Sequence, residues 1–150
     1  MKSIVIYESI HHNNTEKIAN VIADEIGAEL VNVRNFAEYH KNLNEYDLIG
    51  FGSGIYKSEV HKNIKKFVET TEHRDNQKTF IFTTSGTGKE SYNKKFKDFL
   101  NLKGFDVIAE FACKGFDTFG LLKIIGGISK GRPNEDDIAN AKNFAKSLLK

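Results

Sequence analysis

Tryptophan is absent from this chain, and cysteine, proline and methionine occur once each. With one cysteine, Cys113, neither an intrachain disulfide nor a multi-cysteine metal cage can form. Sparing use of thiols fits a reducing compartment, so cytoplasmic residence is expected. No window approaches the roughly 20 apolar residues of a membrane span, so no transmembrane segment is expected. The opening run Ile4-Val5-Ile6-Tyr7 is too short for a secretory signal and reads as a strand. There is little excess charge of either sign: the net is +2, with lysines spread along the chain. That distribution argues against a dedicated nucleic-acid surface. What remains is a chain of 150 residues, 39% hydrophobic and 28% charged, the size and balance of one globular domain over 1–150.

Short apolar, β-branched runs alternate with stretches of helical period. The runs are Ile4–Tyr7, Glu29–Val33, Leu48–Gly52, Thr79–Thr83 and Val107–Phe111. Glu29–Val33 alternates as an edge strand does, whereas Ile4–Tyr7, Leu48–Gly52 and Thr79–Thr83 are nearly continuous, as strands covered on both faces are. Between and after them, four sets follow the i, i+3/i+4, i+7 rule: Ile18, Val21, Ile22 and Ile26; Val60, Ile64, Phe67 and Val68; Tyr92, Phe96, Phe99 and Leu100; and Ile138, Ala141, Ala145 and Leu148. The segment from Asn35 to Asn44 is short and only weakly helical. Asn134, following Pro133 and followed by Glu135-Asp136-Asp137, reads as the N-cap of the last helix. Five strands alternating with helices predict an α/β fold, with a parallel, doubly wound sheet and right-handed crossovers. One long irregular stretch, Gly115–Pro133, interrupts the pattern. It reads as an Ω-like loop packing on itself, a flap, a partner surface or a weak membrane contact through residues 115–131.

In such sheets ligands bind beyond the carboxyl ends of the strands, beside the point where strand order reverses. The first loop there, Glu8-Ser9-Ile10-His11-His12-Asn13-Asn14-Thr15, is crowded with hydroxyl, amide and imidazole groups and contains no lysine or arginine. It leads into a helix, whose free N–H groups can hold a phosphate without a cation. The second loop, Ser53-Gly54-Ile55-Tyr56, ends in an apolar-aromatic pair suited to a flat ligand. The third, Thr84-Ser85-Gly86-Thr87-Gly88-Lys89, is rich in glycine and hydroxyls, so backbone can approach such a ligand closely. Rival phosphate sites fail on residues. G-x-G-x-x-G is absent after the first strand. A Walker loop would need glycine at Thr83 and serine or threonine at Glu90. A response-regulator receiver would need an aspartate where Gly52-Ser53 stand, and a low-molecular-weight tyrosine phosphatase would need an early C-x5-R.

The stretch Ser9–Ala19, with its Asn14-Thr15-Glu16-Lys17 core, resembles the flavodoxin family's S/T-x-T-G-N-T loop and following helix start. Tyr46–Tyr56, Thr83–Gly88 and the Gly131–Asp137 helix start extend the resemblance over essentially the whole chain. It implies strand order 2-1-3-4-5 with FMN at the switch between strands one and three, a placement of which flavodoxins are themselves a type example. It implies that Asn14 and Thr15 hold the phosphate in a loop shared with Ser9, His11, His12 and Asn13. Ser53, Gly54, Ile55 and Tyr56 would flank the isoalloxazine, with Thr84, Ser85, Gly86, Thr87 and Gly88 along its other side. It further implies an electron carrier between redox partner proteins, with no catalytic residue and no metal site. The alternative is an FMN oxidoreductase acting on a quinone or porphyrinogen, since the second loop with His61 and Phe67-Val68 also resembles flavodoxin-type protoporphyrinogen oxidases. A third reading is a flavin-free binding module of the same fold. Three features depart from the family. The Ser9–Thr15 loop has one residue more than usual, so Ser9 or Ile10 must bulge outward. Tyr56 stands in for the missing stacking tryptophan. The chain is slightly basic where many electron-carrier flavodoxins are acidic: Lys57 and Lys89 follow two flavin loops, and Lys123, Lys130 and Arg132 sit in the long last loop.

Overall fold

A computed structural model describes residues 1–10, 12–38, 42–118 and 120–150. Among these residues six strands, β1 (Ser3–Glu8), β2 (Glu29–Asn32), β3 (Leu48–Tyr56), β4 (Glu59–Val60), β5 (Gln77–Ser85) and β6 (Phe105–Lys114), form one sheet. Helices α1 (Asn14–Ile26), α2 (Lys62–Thr70), α3 (Ser91–Leu102) and α4 (Glu135–Leu148) cover its two faces. The five long strands run parallel in the order β2-β1-β3-β5-β6, and the two-residue β4 folds back antiparallel on β3. With the short β4 set aside, this is the expected 2-1-3-4-5 order. The sequence places Val60 on a helix. It instead pairs with Ile55 in the β3–β4 hairpin, and α2 starts two residues later. The weakly helical segment after β2 is a 3₁₀ turn, Val33–Glu38, with a second at Leu43–Glu45.

Strand side chains alternate between faces, and the core divides accordingly. Ile4, Ile6, Ile49, Phe51 and Ile81 pack with Ile64, Phe67 and Val68 of α2 and Phe96 and Leu100 of α3. Val5, Tyr7, Leu48, Phe80 and Phe82 pack with Ile18, Ile22 and Ile26 of α1 and Ala141 and Ala145 of α4. A fully buried side chain of this size contributes about 1.5–3 kcal/mol. On the second face β3 carries glycines at 50 and 52, which lie in register beside Phe80 and Phe82. A Cβ there would come within 2.2 Å of the Phe80 ring or 2.0 Å of the Phe82 ring, so glycine is what lets these rings lie across β3. The apolar faces thus fix the sheet, and β1, β3 and β5 end together at one edge. From the first strand the chain winds one way to β2, and from β3 the other way to β5 and β6, so the reversal lies between β1 and β3.

Candidate functional site

At that edge α1 begins without the usual preamble. Its N-cap, Asn13, is in the left-handed region and makes no side-chain cap, and His12 before it is left-handed too, with φ near 56° and 55° for the pair. The first backbone N–H groups of a helix point beyond its N-terminus. The Glu16 N–H is taken by Ser9 Oγ at 3.2 Å, while those of Asn14 and Thr15 have no partner among the described residues. In this loop Ile10 is 38% exposed, whereas Ser9 is buried. Thr15 Oγ1 lies 2.8 Å from Thr84 Oγ1, which ties the first loop to the third. Asn14 Nδ2 donates to the Phe116 carbonyl at 2.8 Å. Its Oδ1 is then left buried with no hydrogen-bond partner.

A cleft opens above these groups, lined by Asn14, Thr15, Gly54, Ile55, Tyr56, Thr84, Ser85 and Gly86, together with Gly115, Phe116 and Asp117. It continues through Ile55, Ser85, Gly86 and Asp117 into a hollow of about 290 Å³ that also touches Lys57, Ser58, Thr87, Tyr92, Leu122 and Ile128. The three loops expected to meet therefore do meet. Ser53 lies beneath the cleft instead of lining it: its hydroxyl donates to the Gly54 carbonyl and accepts the His61 N–H at 2.9 Å. Gly88 sits behind the third loop, its N–H held by Ser85 Oγ. His12 turns toward the last loop, with Nε2 3.0 Å from Thr118 Oγ1 and its ring against Phe116. Asn13 is exposed, and His11 lies outside the described residues.

The long stretch after β6 is tied down at its base. Gly115 N–H bonds the Ser85 carbonyl, and Asp117 and Ile128 exchange both backbone bonds as a two-residue antiparallel bridge. Ser129 Oγ donates to the Gly86 carbonyl. The stretch is thus neither a free flap nor a self-contained loop: its legs form one wall of the cleft. Its tip is a 3₁₀ turn, Gly120–Ile125, with Ile124 80% and Ile125 70% exposed.

Beside the cleft, Glu8, His61 and Tyr56, named in the sequence on separate grounds, form a cluster with Arg34 and Asn63, which the sequence did not single out. Glu8 ends β1 fully buried, its Oε1 accepting from Arg34 Nε at 2.7 Å and its Oε2 from Asn63 Nδ2 at 2.8 Å. The signal was a carboxylate closing an otherwise apolar strand, which needs partners if buried. His61 caps α2, its Nδ1 accepting the Asn63 N–H at 3.0 Å, and stands 3.9 Å from Glu8. Burial pushes the His61 pKa down, with Lys62 and Arg34 adding to the fall and Glu8 opposing it. Tyr56 meets the His61 ring edge-on at 5.2 Å. Burial, then the Glu8 charge, pushes the Tyr56 phenol up. It remains a neutral phenol at ordinary pH.

An open, doubly wound sheet with a helix N-terminus at its switch point, between an aromatic loop and a glycine-rich one, defines an α/β protein of the doubly wound class with a cleft at that point. The flavodoxin domain family matches residues 4–115, and the chain belongs to it. An uncharacterised protein of Methanocaldococcus jannaschii is 49% identical over 152 aligned residues, covering 100% of this chain and 99% of that protein. Among solved structures, a flavodoxin from the domain Archaea superposes with a TM-score of 0.74 at 17% identity, covering 99% of this chain and 96% of that one. A flavoprotein of Lactobacillus acidophilus in complex with FMN gives a TM-score of 0.58 at 20% identity, over 73% of this chain and 91% of that one.

Proposed function

We propose that this protein holds one FMN non-covalently in the switch-point cleft and passes electrons through it between partner proteins. The observation that carries the reading is the start of α1. The N–H groups of Asn14 and Thr15, without a partner among the described residues, are donors for a phosphate, and the Asn14 Oδ1 beside them, likewise without one, is an acceptor suited to a sugar-alcohol hydroxyl. A ligand offering acceptors and a donor within a few ångströms, as a ribityl phosphate does, satisfies both. Hydrogen bonds to a charged group contribute about 1.5–3 kcal/mol each, so the loop needs no lysine. Tyr56 offers a flat face and Ile55 an apolar one for the ring, and Thr84, Ser85 and Gly86 a close-lying backbone. When bound, FMN supplies one- and two-electron chemistry. The chain's part is to hold the cofactor, orient it and exclude water from its inner edge. Partner proteins would approach over the same edge, where Ile124 and Ile125 stand exposed.

The test is a visible absorption spectrum of the purified protein, repeated after addition of FMN and repurification. Retained flavin bands at one FMN per chain are expected. The Asn14→Asp variant, which sets a like charge beside the phosphate and breaks the bond to Phe116, should weaken FMN about 100-fold. A protein that stays colourless after reconstitution overturns the reading.

A further inference from the structure

Tyr56 has a second side. Beyond the flavin cleft its ring also walls a separate hollow of about 410 Å³, between the β3–β4 hairpin and the start of α2. The floor is apolar, made by Ile10, Val60 and the Tyr56 ring. The rim holds Lys57, Lys62, Glu59 and His61. Charge there is unbalanced. Glu59 is already engaged by Lys65 at 3.2 Å and Lys95 at 3.8 Å, and the Lys65 bond leads in holding its carboxyl below the usual range. Lys57 and Lys62 are exposed and make no ion pair among the described residues. The imidazole tautomer is set as well. Its Nδ1 accepts the Asn63 N–H, so the ring proton of neutral His61 sits on Nε2, and the residue lines the hollow. Glu8, held by Arg34 and Asn63, fixes the same corner from below.

We propose that this hollow is a second binding site, for a small flat apolar molecule carrying a carboxylate. The apolar floor takes the body, His61 Nε2 donates to the carboxylate, and Lys62 and Lys57 supply the opposite charge. A cationic occupant would meet two lysines, and a neutral one would leave them without a counter-charge. The significance of the place rests on the flavin reading, since Tyr56 is common to both walls and the occupant lies one aromatic ring from the cleft. The binding itself does not depend on it.

The test is isothermal titration of the protein with 2-naphthoate and with neutral 2-naphthylmethanol, at saturating FMN and again without it. Naphthoate is expected to bind in both conditions, at least tenfold tighter than the alcohol. Lys62→Glu, a surface change outside the flavin cleft, should weaken naphthoate at least tenfold and leave the alcohol unchanged, with Lys62→Arg restoring it. Amide shifts in ¹H–¹⁵N spectra should centre on residues 56–63. Equal affinity for acid and alcohol overturns the proposal, as does indifference to Lys62→Glu. Displacement of naphthoate by FMN also overturns it, because the acid then occupies the flavin cleft. Failure of the protein to retain FMN sinks only the flavin reading, since naphthoate binding is read separately without it.

Discussion

Asp137, 4% exposed, organises the start of α4 through both carboxylate oxygens. Oδ2 accepts the Asn134 N–H at 2.8 Å and Oδ1 takes Arg132 Nη2 at 2.6 Å, while Asn134 Oδ1 accepts the Asp137 N–H in return. The Arg132 bond outweighs burial and holds the Asp137 carboxyl below its ordinary range. Asp137→Asn should therefore cost about 2 kcal/mol in urea unfolding at neutral pH. The sign with pH follows. A depressed folded pKa gives stability that is present above the unfolded value of about 3.9 and is lost as pH falls through the folded one. The gap between wild type and variant should close below about pH 4. Arg132 is thus committed to α4, which removes it from the basic residues expected to act on a bound flavin. Cys113 is buried at the far end of β6, and desolvation pushes its thiol up to about 12. Native protein at pH 8 should react with a disulfide reagent orders of magnitude more slowly than unfolded protein, read from thiolate release.

Strand β3 depends on its glycines. Gly52 lies in register beside Phe82, and a methyl group there meets the ring at 2.0 Å. Gly52→Ala should cost about 3 kcal/mol by overpacking, and combining it with Phe82→Leu should recover part of that in the unfolding midpoint. The element pattern was legible where periodicity is strong: β1, β3 and β5 as apolar runs, β2 as an alternating edge, and α4 from Asn134 and its acids. Val60 was misread because its spacing to Ile64 and Phe67 is helical, while a two-residue turn reversed the chain first. That turn leaves no glycine signature. Lys57 and Ser58 both sit at positive φ, where Asn-Gly would ordinarily announce a hairpin.

At the scale of the molecule, the meeting of three loops was readable because chain order and the right-handed crossover rule determine which strand ends share an edge. Three contributions were not. Ser9 and Ser53 carry the residue type of a ligand contact, yet their hydroxyls serve backbone N–H groups, and composition cannot separate the two uses. Glu8 shows its role only when α2 and Arg34 arrive from elsewhere in the chain. The wall from Gly115 to Asp117 comes from a segment whose local sequence does not say where it returns.

That returning wall has a dynamic consequence. Asn14 binds the Phe116 carbonyl and His12 touches Thr118, while Gly115 bonds Ser85 and Asp117 pairs with Ile128. These bonds join the first turn of α1 to the legs of the last loop, and the two are expected to open together. A phosphate ligand that grips only Asn14 and Thr15 lowers the population of the opened state for all of them. Deuterium uptake at the amides of Asp117 and Ile128 should slow when FMN is added, in proportion to occupancy. Uptake there that ignores the ligand would mean the two loops open independently.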